Sequence, residues 1–153
     1  MPRIELKLPE HFIFKTTLEV RIYDVNYGNH LGNDAVLSLI HEARLRFLLH
    51  FGFSEQDIGG CGLVVSDAAI VYKSQAFWQD LIMIEVAATD FSKYGCDIYF
   101  KLTNKSTEKV LAQAKTGIIA FDYHRRKMVQ LPEVFRKAIE QRDNWRPEQD
   151  SNL

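Results

Sequence analysis

A single long helical segment lies among segments with the alternation of β-strands, and this arrangement constrains the fold most. Residues 33–51, NDAVLSLIHEARLRFLLHF, form that segment. Their apolar side chains recur with a period near 3.6 residues, at Val36, Leu39, Ile40, Ala43, Phe47 and Leu48. The opposite face carries polar side chains, at Asp34, His41, Arg44 and His50. We therefore predict one long helix whose apolar face, around Ala43, is buried.

Both ends of this helix carry boundary signals. Asn33 and Asp34 are of residue types that cap helix starts, because their side-chain oxygens accept hydrogen bonds from first-turn N–H groups. Gly52 follows the last periodic residue and suits the left-handed backbone that ends many helices. We expect Asn33 or Asp34 to be the N-cap and Gly52 to terminate the helix.

Segments rich in β-branched and aromatic residues surround the helix. One covers residues 12–23, and the others cover 63–72, 81–90, 96–104 and 109–123. Short turn-like sequences separate the last four, which favours antiparallel pairing of consecutive strands in a meander. Pro132 precedes a short final helix at 133–142. Since the long helix is the only element available to cover the sheet, we predict an α+β fold in which an antiparallel five-stranded sheet wraps around one central helix.

Length and composition limit the organisation and the partners. The 153 residues suit one domain, which we assign to residues 1–143, with a disordered tail at 144–153. A net charge of -1 gives no reason to expect nucleic acid or a membrane surface as partner. Cys61 and Cys96 are isolated, and the histidines lack metal-ligand spacing, so we expect neither a disulfide framework nor a bound metal. No apolar run is long enough to span a bilayer, and we expect a cytoplasmic protein.

The segment between the first strand and the helix contains more polar groups than a turn requires. Residues 20–33 read VRIYDVNYGNHLGN and include Asp24, Asn26, His30 and Asn33. Glycine and asparagine are common in turns because both tolerate positive φ. The remaining polar groups indicate either a solvated loop or a site that holds a ligand.

The order of these elements and their motifs resembles the hotdog-fold acyl-CoA thioesterases of the 4-hydroxybenzoyl-CoA thioesterase type, over about residues 18–139. The family signature is Asp-x-Asp-x-x-Gly-His-x-Asn-Asn followed by a helix with Glu-Ala-Arg. It stands here as VRIYDVNYGNHLGN followed by HEAR, with further matches in IVYKSQAFWQDLIMIEV and AFDYHRRKMVQLPEVFRKAI. The resemblance implies a cofactor-independent thioester hydrolase acting on acyl-CoA or an acyl-carrier-protein thioester. It also implies a homodimer or homotetramer with a site completed by a neighbouring subunit, and exposed sheet edges point to at least a dimer as well.

One departure from the signature bears on mechanism. Aligned without gaps, Asp24 and His30 match the family's first aspartate and its histidine, and Asn33 matches its second asparagine. Asn26 replaces the second aspartate, which is the catalytic carboxylate in much of the family. An amide cannot act as a base near neutral pH, although it can orient water or donate a hydrogen bond to a carbonyl oxygen.

Two residues are candidates for the missing base. His30 is the first, since imidazole side chains titrate near physiological pH. Glu42 is the second, because the resemblance implies a catalytic glutamate on the central helix in some branches of the family. The N–H groups at the helix start, around Asn33 and Asp34, are placed to stabilise a developing oxyanion.

Each candidate also has a structural interpretation. Asp24 suits a loop-bracing acceptor, Asn33 a helix cap, and His30 a turn residue. Glu42 is spaced to pair with Arg46 on a solvated helix face.

Two other functions remain open for this sequence. One is a non-hydrolytic hotdog protein that binds acyl thioesters or serves as an assembly subunit, with Asn26 marking lost catalysis. The other is a hotdog dehydratase. It is the weaker alternative, because the HEAR helix and the closing LPEVFRKAI resemble thioesterase features. The phosphates of coenzyme A have candidate contacts in Lys73, in Lys93 and in the segment YHRRK at 123–127.

Overall fold

A computed structural model describes residues 3–140 of the chain as one antiparallel sheet with two helices. Its elements, in order, are β1 Phe14–Glu19, a 3-10 helix Ile22–Asp24, α1 Asn33–His50, β2 Gly62–Tyr72, β3 Leu81–Thr89, β4 Gly95–Asn104, β5 Lys109–Asp122, β6 Lys127–Met128 and α2 Glu133–Glu140. The predicted α+β class and five-stranded antiparallel sheet are confirmed, and the two-residue β6 is an addition that pairs with β5. The predicted tail at 144–153 lies outside the described residues.

The order of the strands corrects the predicted meander. The sheet runs β1-β3-β4-β5-β2, so β3, β4 and β5 are consecutive neighbours but β2 pairs with β5 at the far edge. The connection 73–80 therefore leads from one edge of the sheet toward the other. Along it, Leu31 donates to Ala76 O at 2.8 Å and Gln79 donates to Val20 O at 2.9 Å. The connection is thus held against the loop at 20–33, which places it beside the candidate site.

The first strand is shorter than predicted. Its pairing with β3 ends at Glu19, opposite Leu81, instead of continuing to residue 23. Beyond it, Val20 still donates to Asp80 O at 2.9 Å, and the 3-10 helix begins at Ile22. Local hydrogen bonds between Arg21 and Asp24 favour this tight turn over an extended strand.

The apolar face of α1 forms the centre of the core, as predicted. All six predicted residues are buried, and Ala43, Ile40, Phe47 and Leu48 are fully enclosed. The facing sheet supplies alternate residues of its central strands, among them Ile82, Ile84, Ile98, Phe100, Leu102 and Ala114. Arg44 corrects the predicted polar face, because only 7% of it is exposed. None of the helices within residues 3–140 is long and apolar enough to cross a membrane.

The two helix boundaries differ in how well they match the prediction. At the C-terminal end, Gly52 has φ +87° and donates to Leu49 O, while Phe53 donates to Leu48 O at 2.8 Å. This pair of bonds is the Schellman motif, and it confirms Gly52 as the terminator. At the other end the prediction was wrong, because Gly32 is the N-cap. Gly32 has extended backbone, and its carbonyl accepts the bonds that begin the helix, so neither Asn33 nor Asp34 caps it.

Candidate active site

The base of the loop is fixed by Asp24. Only 4% of this residue is exposed, and its carboxylate accepts hydrogen bonds from Arg21 N at 2.9 Å, Nε at 3.2 Å and Nη2 at 3.0 Å. Burial alone would raise the pKa of the Asp24 carboxyl, but the bonds from Arg21 outweigh it and hold the pKa below its ordinary value. The Asp24 carbonyl also accepts from Gly32 N at 3.0 Å, which ties the loop to the start of α1. These contacts make Asp24 a brace for the loop.

The loop tip is a tight turn from Asn26 to His30. Asn26 N donates to His30 O at 2.9 Å, and Asn29 N donates to Asn26 O at 3.0 Å. Asn29 takes the left-handed conformation at φ 64°, which asparagine tolerates. Residues Val25 and Leu31 pair as an antiparallel bridge below the turn. The backbone therefore sets Asn26 and His30 opposite each other.

The side chains of Asn26 and His30 approach each other over Gly28. Asn26 Oδ1 accepts from Gly28 N at 2.9 Å. A Cβ atom on Gly28 would lie 2.8 Å from His30 Nε2 and 3.5 Å from Asn26 Oδ1. Because the oxygen of the Asn26 amide is engaged in the turn, its Nδ2 group is the one left to donate, and Nδ2 has no hydrogen bond within residues 3–140.

His30 is held in place by the connection 73–80. It forms an isolated antiparallel bridge with Phe77, and the two rings meet edge to face with centroids 6.4 Å apart. Phe77 N donates to Asp80 Oδ2 at 2.9 Å, and the same oxygen accepts from Nδ2 of the buried Asn104 at 2.9 Å. The imidazole is partly exposed, so this support orients it without enclosing it.

The start of α1 lies beside this turn. Ala35 and Val36 are the first helix residues whose N–H groups bond within the helix, both to Gly32 O. The N–H groups of Asn33 and Asp34 precede that ladder and lie at the open end of the helix, where the helix dipole is positive. Asn33 is exposed, and its carbonyl accepts from Tyr72 Oη at 3.1 Å. This bond joins the helix start to the end of β2.

A cavity of about 280 Å³ opens next to the helix start. His30 and Asn33 line it on one side, and Tyr72, Lys73 and Ser74 line it on the other. The cavity thus adjoins the imidazole, the open end of the helix and an exposed lysine. Tyr72 and Phe77 were not predicted as site residues, because nothing in the local sequence indicates which loop the connection 73–80 packs against.

Glu42 lies on α1 beyond the helix start, close enough to the base of the loop for its charge, after that of Asp24, to raise the pKa of Arg21. It lies nine residues after Asn33, which corresponds to a rise of about 13 Å along α1. Its carboxylate accepts from Arg46 Nε at 2.9 Å, and Arg46 donates in turn to Thr16 Oγ1 on β1 at 2.8 Å. The pair lies at the surface, in agreement with the structural interpretation of Glu42. A catalytic role for Glu42 stays a prediction.

One acidic group near the site was considered in the sequence only as a cap. Asp34 Oδ1 lies at the helix start, 2.7 Å from where a Cβ of Gly32 would be. Asp34 is exposed, and it lies four residues after His30 in the sequence. Within residues 3–140, no group of three or more His, Cys, Asp or Glu side chains is arranged to hold a metal ion.

Comparisons with known proteins agree with this fold. The model of the thioesterase-like superfamily matches residues 20–139. No curated protein matches the chain in sequence. Many solved structures match its fold.

Three of the solved structures illustrate the match. A 1,4-dihydroxy-2-naphthoyl-CoA thioesterase from Synechocystis is 22% identical, with 82% of this chain and 94% of that chain covered and a TM-score of 0.75. A thioesterase from Thermus thermophilus, complexed with coenzyme A and Zn, is 19% identical over 91% of this chain and 99% of that chain, with a TM-score of 0.77. A hypothetical protein from Staphylococcus aureus in complex with CoA is 14% identical over 97% and 98% of the two chains, with a TM-score of 0.78. At these identities the likeness shows a shared fold.

Proposed function

The chain belongs to the thioesterase-like superfamily, and from this premise we propose that it hydrolyses an acyl-CoA thioester, or an acyl-carrier-protein thioester, to the free acid and the thiol. The observation that carries the proposal is the convergence of Asn26 and His30 over Gly28, beside the open end of α1. His30 offers a base, Asn26 Nδ2 a hydrogen-bond donor and the start of α1 an oxyanion site, and His30 and Asn33 line the same cavity.

His30 is the proposed general base. Its Nε2 atom takes a proton from the attacking water, whose oxygen forms a bond to the thioester carbonyl carbon. The resulting tetrahedral oxyanion then collapses and breaks the carbon–sulfur bond. The imidazolium returns the proton to the departing thiolate, so the reaction consumes one water and leaves His30 unchanged. Glu42 is the second candidate for the base, although Arg46 holds its carboxylate in this chain.

Stabilisation of the oxyanion is assigned to N–H groups. The amides of Asn33 and Asp34 lie at the positive end of the α1 dipole, and Asn26 Nδ2 is a further donor free to reach the carbonyl oxygen. Asp24 acts as a positioning residue, because its bonds to Arg21 and Gly32 fix the loop relative to the helix. Asn33 contributes its backbone in this scheme.

Lys73 is the proposed contact for the phosphates of coenzyme A. It is exposed and lines the cavity next to His30. Two of the competing cations have other interactions, since Lys93 lies over the Tyr94 ring at 5.4 Å and Arg125 pairs with Asp122 at 2.8 Å.

Restoring the family's carboxylate with Asn26→Asp tests this scheme against the alternative of a non-hydrolytic acyl-thioester-binding protein. Aspartate can still accept from Gly28 N, so the turn is expected to persist while the Nδ2 donor is lost. If the site works through the amide, thiol release from a panel of acyl-CoAs falls by about ten- to a thousandfold in kcat, the usual effect of removing one oxyanion donor. Thiol release measured with a chromogenic thiol reagent gives the value directly.

Asn29→Asp is the matched control for that experiment. It adds the same charge to the same exposed turn without touching the Asn26 amide, and its effect on turnover is expected to be small. If the wild type were inactive on every thioester and Asn26→Asp gained activity, the enzyme proposal would be contradicted. The alternative of a non-hydrolytic acyl-thioester-binding protein would then be supported.

A homodimer or homotetramer is the proposed assembly. The two edges of the main sheet are β1 and β2, and the middle of β2 is exposed from Val65 to Ala68. An unpaired, partly apolar edge is commonly covered by a second copy. We expect light scattering to give a multiple of the 17.7 kDa chain mass at micromolar concentration. A strict monomer would contradict the proposal that neighbouring subunits complete the site.

A further inference from the structure

The segment that precedes β1 alternates like a strand. Residues 3–9 read RIELKLP, and we call them the arm. The apolar side chains of the arm are those of Ile4, Leu6 and Leu8, and charged side chains stand between them. Such alternation over a few residues, ended by a proline, is typical of a strand with one apolar face. The arm therefore has the pattern of a strand, although it is not part of the sheet.

Both backbone edges of the arm are unpaired. Among the described residues, 3–140, no hydrogen bond or ion pair involves the arm. The first backbone bond in this part of the chain runs from Ile13 N to Val86 O, at 3.0 Å. Leu6 and Leu8 are half-buried, whereas Ile4 is 67% exposed. A strand-like segment with free edges and an exposed apolar side chain is a template for pairing with another strand.

The charges of the arm are complementary to those of a second arm. In an antiparallel pair, the side chains of directly opposite residues lie on the same face, so apolar positions pair with apolar positions. With Leu6 opposite the partner's Leu6, Glu5 lies opposite the partner's Lys7, and Lys7 lies opposite the partner's Glu5. Both of these cross-strand pairs join opposite charges, which stabilises them.

Other registers are disfavoured by the same residues. A shift by one residue sets the apolar face of one arm against the charged face of the other. Moving the two-fold axis to residue 5 sets Glu5 opposite the partner's Glu5, and moving it to residue 7 sets Lys7 opposite the partner's Lys7. Like charges directly opposite one another are destabilising. The sequence of the arm thus selects one antiparallel register.

The selected register also covers the exposed isoleucine. Ile4 lies opposite the partner's Leu8, which removes apolar surface from water. An isolated two-stranded ribbon is only marginally stable in water, so the domain beneath each strand has to support the pair. The half-burial of Leu6 and Leu8 supplies that support.

We infer that the arm is an interaction surface whose partner is the arm of a second copy of this chain, paired antiparallel with Leu6 at the two-fold axis. The arm precedes β1 and is distinct from the exposed stretch of β2, so it is a second surface for self-association. The inference does not rest on the proposed thioesterase function, and its test needs no substrate.

Leu6→Cys tests the register. Directly opposite Cα atoms in an antiparallel pair are about 4.5–5.5 Å apart, a separation that a disulfide spans. Mild oxidation of the folded variant is expected to give a covalent dimer on a non-reducing gel. Glu10→Cys is the matched control, because residue 10 is exposed but the register places its two copies at opposite ends of the ribbon. Cys61 and Cys96 are present in both variants and contribute equally.

Charge reversals in the Leu6→Cys background test the partner. Glu5→Lys sets positive charges opposite positive ones, and Lys7→Glu sets negative charges opposite negative ones. Each reversal alone is expected to slow cross-linking by about fivefold or more, because two attractive pairs become repulsive. A mixture of the two variants is expected to restore the rate, since opposite charges again lie opposite each other. With one variant carrying a tag, the restored product is identified as the heterodimer.

Ile4→Cys and Leu8→Cys provide a second measurement if Leu6→Cys fails to fold. A mixture of these two variants is expected to cross-link, because the register sets residues 4 and 8 opposite each other. Neither variant alone is expected to do so.

The outcomes decide whether two arms pair. If Leu6→Cys cross-links no faster than Glu10→Cys, the inference is overturned. A rate that both charge reversals leave unchanged also overturns it, because the thiols would then meet by collision or the arm would lie against another part of the second copy, such as the exposed stretch of β2. Loss of the cross-link in each reversal, with the heterodimer recovered in the mixture, supports the inference.

Discussion

Ala43→Asp is expected to prevent the protein from folding. Ala43 is fully enclosed on the apolar face of α1, where the helix packs against the sheet. An unpaired carboxylate in such a place costs several kcal/mol even after relaxation, and a domain of this size has a total stability of about 5–15 kcal/mol. Far-UV circular dichroism and thermal melting are expected to show an unfolded or aggregated protein.

Ser38→Asp is the matched control for Ala43→Asp. Ser38 is a small residue on the same helix, but its side chain is exposed. The same new charge is therefore solvated there, and the melting temperature is expected to change little. If Ala43→Asp melted like the wild type, α1 would not be the central helix of the core.

The burial of α1 was predictable because amphipathicity is a local property. Six apolar positions at helical spacing identified the buried face, and each of the six is buried. Gly52 was predictable for a similar reason, since the positive φ at a helix end is set by a few neighbouring residues. Arg44 was assigned to the polar face by its charge, but it is buried and pairs with Glu55, which lies in a separate loop.

The strand order could not be predicted from the sequence, because it depends on pairing between strands that are far apart along the chain. Alternation indicated that residues 63–72 form a strand, but not that β5 would be their partner. The surroundings of His30 were missed for the same reason. Its contact with Phe77 depends on where the connection 73–80 crosses the molecule.

The loop residues show the same difference between what a local pattern predicts and what depends on distant contacts. Asn26 and His30 were selected from a motif, and the turn sets them opposite each other, although their catalytic roles remain proposals. Asp24 was open between bracing and participation, and its inward-facing carboxylate indicates bracing. For Glu42, helix spacing alone predicted the pair with Arg46 that the structure contains.

His30→Ala is expected to lower kcat/KM for the best acyl-CoA by about a hundred- to ten-thousandfold, the usual contribution of a general base. The residue is partly exposed, so the melting temperature is expected to stay near that of the wild type. Added imidazole is expected to restore part of the activity, which a purely structural role would not allow.

Gly28→Ala provides a second arm that leaves the imidazole in the protein. The new Cβ would lie 2.8 Å from His30 Nε2, closer than real contacts allow, so the imidazole has to shift from its present position. Activity is expected to fall in parallel with His30→Ala, because a general base must be within hydrogen-bonding reach of its water. Asp34→Asn is the matched test of the nearby carboxylate. Retained activity in His30→Ala, with activity lost in Asp34→Asn, would assign the role of base to Asp34. Removing the general base takes away the acceptor for the water's proton, so the variant that lacks the base is the one that loses activity.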